Sequence, residues 1–402
     1  MREDLYGLKA QVVDDYERND FDKVEELEAE VRDMEANSEW VRQYESSEFK
    51  LEPLMPIDVW TKAQQYGWSE ALTMETAQEK VGSQLYLTAY DSAYLVRNCA
   101  KGSLMETAKL FGSALGRMSP AAYAETLNCG FDVANGTSMM LLRYGKVAAL
   151  HSEGSGGYEI MPISTLLDCT VKELEDRFGD IRFISGYNSH EYTEAKFELK
   201  DAKAYLVAVY ERALQDAGCK SVYDIDFTPV VRFCSSDTSN ACATLQPLFS
   251  MGPNRDIRIC DGVKVKHSKK GLADGKSGVE IYKEEISTIY AKFENSANAI
   301  RRLAGITVYH PDNVVVGLCR KFGIPKKYGT AAYEEIEIYR GGEDSSMIAH
   351  DVYLAMTAAL ESAKDKEASR LVINGIDEAL AKIAQIEDWS EFDVAGVVAW
   401  KD

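Results

Sequence analysis

Paired metal and redox motifs are missing from this 402-residue chain. Its eight cysteines, Cys99, Cys129, Cys169, Cys219, Cys234, Cys242, Cys260 and Cys319, form no C-x-x-C pair and no short cysteine–histidine cluster. That spacing excludes a zinc ribbon and a dithiol redox site, and it reads as small apolar side chains in a reducing compartment. The five histidines show no paired spacing, so acid–base chemistry has no visible centre. Apolar runs stay well short of the ~20 residues a membrane span requires. The first twenty residues carry acids from Glu3 onward and no apolar core, unlike a secretory or transit segment. A cytoplasmic protein is expected.

Several fragments of known signatures also stop short. Gly154-Ser155-Gly156-Gly157 lacks the Lys-Ser/Thr pair of a phosphate-cradling loop and reads as a turn. His190-Glu191 with Glu194 lacks the second histidine of a metal site. Ser235-Ser236-Asp237-Thr238-Ser239-Asn240 is a polar turn between two apolar segments. Glu343-Asp344 and His350-Asp351 read as the acid-rich approach to a helix. No cofactor, metal or catalytic residue is assigned, and a non-enzymatic protein is expected.

What the chain has is charge of unequal distribution. Its formal net charge is −20, yet between Arg255 and Lys327 there are 15 Lys and Arg against 8 Asp and Glu. An acidic protein meets a polyanion only through a local basic surface. The densest part is Arg255, Arg258, Lys264, Lys266, His267, Lys269 and Lys270, with Arg301, Arg302, Arg320 and Lys321 further on. Alternation on both sides of Asp261-Gly262 predicts a hairpin. Burial of one face selects a three-residue loop with Ile257, Ile259, Val263 and Val265 inward and Arg258, Lys264 and Lys266 outward. A lysine-guarded edge strand is the structural alternative.

Along the chain, residues 1–50 hold 16 acids and 7 bases, and Val24, Leu27, Val31 and Met34 repeat at 3-4-3 spacing. This predicts an acidic amphipathic helical leader. Residues 51–130 read as a helical segment, with Ser119-Pro120 opening a helix. Residues 131–330 read as an α+β core containing a hairpin over Met139–Leu150 that turns at Gly145, the basic hairpin 255–270 and a long helix 278–304, and residues 331–402 as C-terminal helices. The expected class is α+β, an antiparallel sheet of central hairpins packed against helices.

At FTPVVRFCSSDTSNACATL, residues 227–245, followed by VKVKHSKKG, the chain resembles the phage/plasmid-like protein family (domain of unknown function 932). Pro229, Arg232, Cys234, Thr238, Asn240 and His267 hold the matching places. Ser268 stands where the family pattern has threonine, and the turn is longer. The resemblance covers about residues 130–360 and implies a mobile-element protein in a bacterial cytoplasm without implying an activity. In architecture alone the chain is similar to phage single-strand annealing proteins. A single-stranded DNA-binding or annealing-type protein, assembled as a homo-oligomer, is therefore the expected function. The alternative is a protein-interaction or host-defence-modulating factor that uses its acidic surface.

Overall fold

A computed structural model describes residues 20–55, 83–90, 92–112, 114–154, 156–223, 226–252, 254–259, 261–270, 275–340 and 346–396, with a few single positions besides. Its architecture is α+β, built on an antiparallel sheet and a second sheet that is antiparallel except where Val96 and Val147 pair in parallel.

The larger sheet has seven strands in the order β1 (Asp20–Phe21), β8 (Ile181–Asn188), β9 (Thr193–Leu199), β10 (Thr228–Ser235), β11 (Ala243–Ser250) and β12 (Asp256–Ile257), with β13 (Val263–Val265) also on β11. Side chains alternate across a strand, and here the alternation separates two environments. Ala195, Phe197, Val231, Phe233, Ala243, Leu245 and Val263 enter one core with Leu206, Tyr210, Tyr282, Phe293 and Ile300 from the helices. The opposite face is polar. Glu194 pairs across the sheet with Cys234, Cys234 with Thr244, and Thr244 with Lys264. The neighbouring row is Lys196, Arg232 and Gln246.

The smaller sheet runs β2 (Ser38–Glu45), β6 (Thr137–Arg143), β7 (Lys146–Ser152), β5 (Ser92–Arg97), β4 (Ser83–Ala89), β3 (Phe49–Pro53). The strands β2 and β3 are joined by a single 3-10 turn at Ser46–Glu48, yet they occupy opposite ends of this order, so the sheet curls. Its core holds Leu104, Tyr123, Leu127 and Phe131 from the helices Lys101–Thr107 and Pro120–Val133. The predicted hairpin at Met139–Leu150 is present. Tyr144 (φ 48°) and Gly145 (φ 76°) form its two-residue loop, both in the left-handed region that such a tight turn demands.

The basic hairpin is not a hairpin. Both β12 and β13 pair with β11, one after the other along its edge, and the register shifts by two residues between them. Tyr353 Oη donates to Arg258 O and accepts from Arg258 N, and Gln385 donates to Ile259 O. Those contacts satisfy backbone groups that a hairpin would have paired internally. The face assignment holds for the apolar set and for two of the three cations: Ile257, Ile259, Val263 and Val265 are buried and Lys264 and Lys266 are exposed, while Arg258 is covered by the helix carrying Asp377 and Glu378.

Other boundaries also move. Among its described residues the leader contributes one helix, Val24–Ala36, whose stripe of Leu27, Val31 and Met34 packs into the large-sheet core, and strands follow at once. Residues 1–19 lie outside the described residues. The 51–130 segment supplies β3, β4 and β5 besides its helices. The long helix is two, Gly278–Ile286 and Ile289–Ala304, the first opened by a capping box of Ser277 and Glu280. The C-terminal helices Ala349–Asp365 and Arg370–Ile383 share the large-sheet core.

Candidate polyanion cleft

Polar residues dispersed between Glu106 and Glu378 meet where the two sheets adjoin. The join is made by the polar turn after β10. Arg143, at the end of β6, donates to Asp237 Oδ2 at 2.7 Å and to His190 O at 2.8 Å. His151 Nε2 bonds Asp237 O at 2.8 Å, and Ser236 and Thr238 hydroxyls donate to Glu191 O. A turn of Ser, Asp, Thr and Asn supplies these bonds because each side chain is a short polar arm next to its own backbone.

Beside this join lies a cleft of about 760 Å³. Its floor is the polar face of the large sheet, with Glu194, Arg232, Cys234, Thr244 and Gln246. One wall carries Thr107, Lys109, His151 and Tyr158 from the small-sheet side, and the other carries Asn374, Asp377 and Glu378 of the helix Arg370–Ile383. Lys264, Lys266 and His267 line it from β13 and the residues that follow.

Aromatic rings build the inner wall. Tyr158 stacks on His151 at 3.8 Å with an interplanar angle of 8°, and on its flanks stand Trp40 at 5.5 Å and His267 at 5.4 Å. Tyr158 Oη bonds His267 Nδ1 at 3.0 Å, and His267 Nε2 lies 3.2 Å from Ser235 Oγ. Burial pulls both His151 and His267 down to about 4, so each imidazole is neutral near pH 7. Burial, then Asp237, pushes Tyr158 well up. The Ser235–His267 pair has the separation of a nucleophile and its base, but Ser235 is 0% exposed and reaches no substrate. Its hydroxyl orients the imidazole.

Of the eleven cations read from the sequence as a polyanion surface, the cleft collects Lys264, Lys266 and His267. Lys269 and Lys270 follow directly, with Lys269 N donating to Gly157 O. Arg255 is turned away and 9% exposed: its guanidinium meets both Glu335 oxygens at 2.5 and 2.7 Å, Leu354 O and Thr357. Arg258 bonds Asp377 at 2.8 Å and Glu378 at 3.3 Å. Arg301 pairs with Asp216, Arg302 donates to Ala384 O, and Lys321 pairs with Glu391. Arg320 is exposed beside a different hollow with Lys321 and Lys326. These arginines and Lys321 are corrected from ligand contacts to intramolecular anchors or distant surface groups.

Two buried ionic clusters lie on the large sheet's polar face, and of their cations Arg258 alone comes from the basic stretch. Asp256 takes Lys196 at 2.5 Å and Lys364 at 3.0 Å, and Asp377 takes Arg232 at 2.6 Å together with Arg258. They fasten the last two helices onto the sheet's polar face. Burial alone would raise the Asp256 carboxyl, but Lys196, Lys364 and Arg232 overcome it and hold it well below the usual range.

No family model, curated protein or solved structure matches the chain. Among the described residues no group of His, Cys, Asp and Glu could hold a metal ion, and no helix is long and apolar enough to cross a membrane. Sequence reading missed His151, Tyr158, Gln246 and Asp377 as cleft residues, and set aside Glu194 with the incomplete metal signature. A signal for part of it was present: Arg232, Cys234, Thr244 and Gln246 are polar at every second position of otherwise apolar strands.

Proposed function

We propose that the protein binds a single-stranded nucleic acid in the cleft on the polar face of its large sheet. The observation that carries this reading is the placement of Lys264 and Lys266, both exposed on the cleft's rim and free of any ion pair among the described residues. Two residues apart on a strand, their Cα atoms are about 6.6 Å apart, a spacing that suits successive phosphates of an extended chain. Most other candidate cations are engaged with carboxylates or backbone oxygens or, like Arg320, lie elsewhere, so these two, with Lys269 and Lys270, are the ones left for phosphate at the cleft. The opposing acidic wall of Asp377 and Glu378 disfavours deep entry of a rigid duplex and leaves room for one strand.

The resemblance of residues 227–245 to the phage/plasmid-like family adds a mobile-element setting in a bacterial cytoplasm, and a homo-oligomer belongs to the same proposal. Fluorescence anisotropy of a labelled unstructured oligonucleotide across a salt series tests it. Binding should weaken steeply with salt, and Lys264→Glu with Lys266→Glu should reduce the log–log salt slope by about 2 and nearly abolish binding. Unchanged affinity of that double variant would sink the proposal.

A further inference from the structure

One carboxylate on the cleft floor, that of Glu194, has no donor among the described residues. Glu194 is half-buried, stands beside Cys234 in the sheet and lines the cleft. Among the described residues no hydrogen bond or ion pair reaches its carboxylate. The adjacent cation is Arg232, whose guanidinium feels Glu194 but bonds Asp377 and Gln246 instead. Asp377 is 4% exposed; its Oδ2 serves Arg232 and Arg258, while Oδ1 is buried without a donor. Gln246 commits its Oε1 to Arg232, which turns its amide nitrogen into the group left to donate.

A desolvated acceptor without a donor is costly in a folded protein, and a ligand that brings the donor relieves it. On this floor the open carboxylate of Glu194 and the amide of Gln246 stand two strands apart, on adjacent rows of the polar face. We infer that the cleft reads the amino edge of cytosine and adenine: the exocyclic NH2 donates to Glu194, and the neighbouring ring nitrogen accepts from Gln246. Thymine presents a carbonyl oxygen where the amino group would be, so it sets lone pair against carboxylate. Glu194 lies three strand spacings, about 14 Å, from Lys264 across the row Glu194, Cys234, Thr244, Lys264. The two long side chains close that gap to the span of one nucleotide, phosphate at the rim and base at the floor.

This inference rests on the single-strand reading and specifies which bases that site takes. The test is anisotropy with labelled 20-mers of oligo(dC), oligo(dA) and oligo(dT) at pH 8 and low salt, using the full chain. The expected result is binding of oligo(dC) and oligo(dA) roughly tenfold tighter than oligo(dT), with Glu194→Gln bringing the ratio close to one. Equal affinity for the three wild-type complexes, or a ratio that Glu194→Gln leaves alone, overturns the base preference while the single-strand reading stands. Failure of all three oligonucleotides to bind overturns both. The wild-type ratio decides the matter even if the variant folds poorly.

Discussion

Arg143 and Asp237 form a buried ion pair, 2.7 Å between Nη2 and Oδ2, that ties the small sheet to the large one at the head of the cleft. Arg143 closes β6 and Asp237 belongs to the turn after β10, 94 residues later. Burial raises the Asp237 carboxyl in spite of Arg143 beside it, so the pair is held at a desolvation cost and removal of one partner strands the other. Asp237→Ala should therefore lower unfolding stability by about 3–5 kcal/mol. Urea denaturation at pH 7 checks this, and a loss below 1 kcal/mol would show that the two sheets are joined mainly by packing.

Arg255 offers a contrast with the lysines of β13. Its bonds to Glu335, Leu354 and Thr357 bind the broken edge strand to two helices. Arg255→Ala should cost about 3 kcal/mol or more by leaving Glu335 without its partner. At a temperature where the variant is folded, its affinity for an oligonucleotide should match wild type within twofold on the order of 0.4 kcal/mol. A large, selective loss of binding would return Arg255 to the ligand surface.

Acid should unfold the protein in two stages. His151 and His267 titrate at about 4 in the fold, below the ordinary 6.5, so the stability they contribute is full above 6.5 and is lost as pH falls toward 4. Each accounts for a loss on the order of 1–3 kcal/mol. The Asp256 carboxyl lies below its ordinary 3.8, so its contribution is full above that value and is lost as pH falls further, through its folded-state value. Denaturation midpoints at pH 7.5, 5 and 3 should show both declines. His267→Gln should shrink only the first and Asp256→Asn only the second.

Gly130, in the helix Pro120–Val133, lies against the end of the preceding helix. A Cβ there would fall 2.5 Å from Ala108 O and 2.8 Å from Ala108 Cβ. Because the obstacle is backbone, Gly130→Ala should destabilise by about 1–3 kcal/mol, overriding the helix-propensity gain of about 1 kcal/mol. A thermal melt that rises instead would mean that the two helices separate freely.

The parts of the fold that follow from short spacing were legible. The stripe Leu27, Val31, Met34 is buried, Ser119-Pro120 opens a helix, the turn at Gly145 makes a hairpin, and His350-Asp351 starts a helix. The cleft was legible only in fragments, through Lys264, Lys266 and His267 and through the residues of the family resemblance. Arg232, Cys234 and Asn240 line it, and Thr238 anchors its head. Its other wall comes from Asp377, and the inner rings from His151 and Tyr158, more than a hundred residues either side of Lys264.

Local patterning thus settled which side of each strand is apolar, because a period of two is written into neighbouring residues. It also revealed a basic stretch within an acidic chain. Which of those cations faces water was a matter of folding. Arg255 and Glu335 are 80 residues apart, Arg258 and Asp377 are 119 apart, and no spacing rule links such partners. Charge is a count along the sequence, but availability of charge depends on where the carboxylates arrive. The folded chain brings them to the arginines and leaves Lys264 and Lys266 open at the cleft.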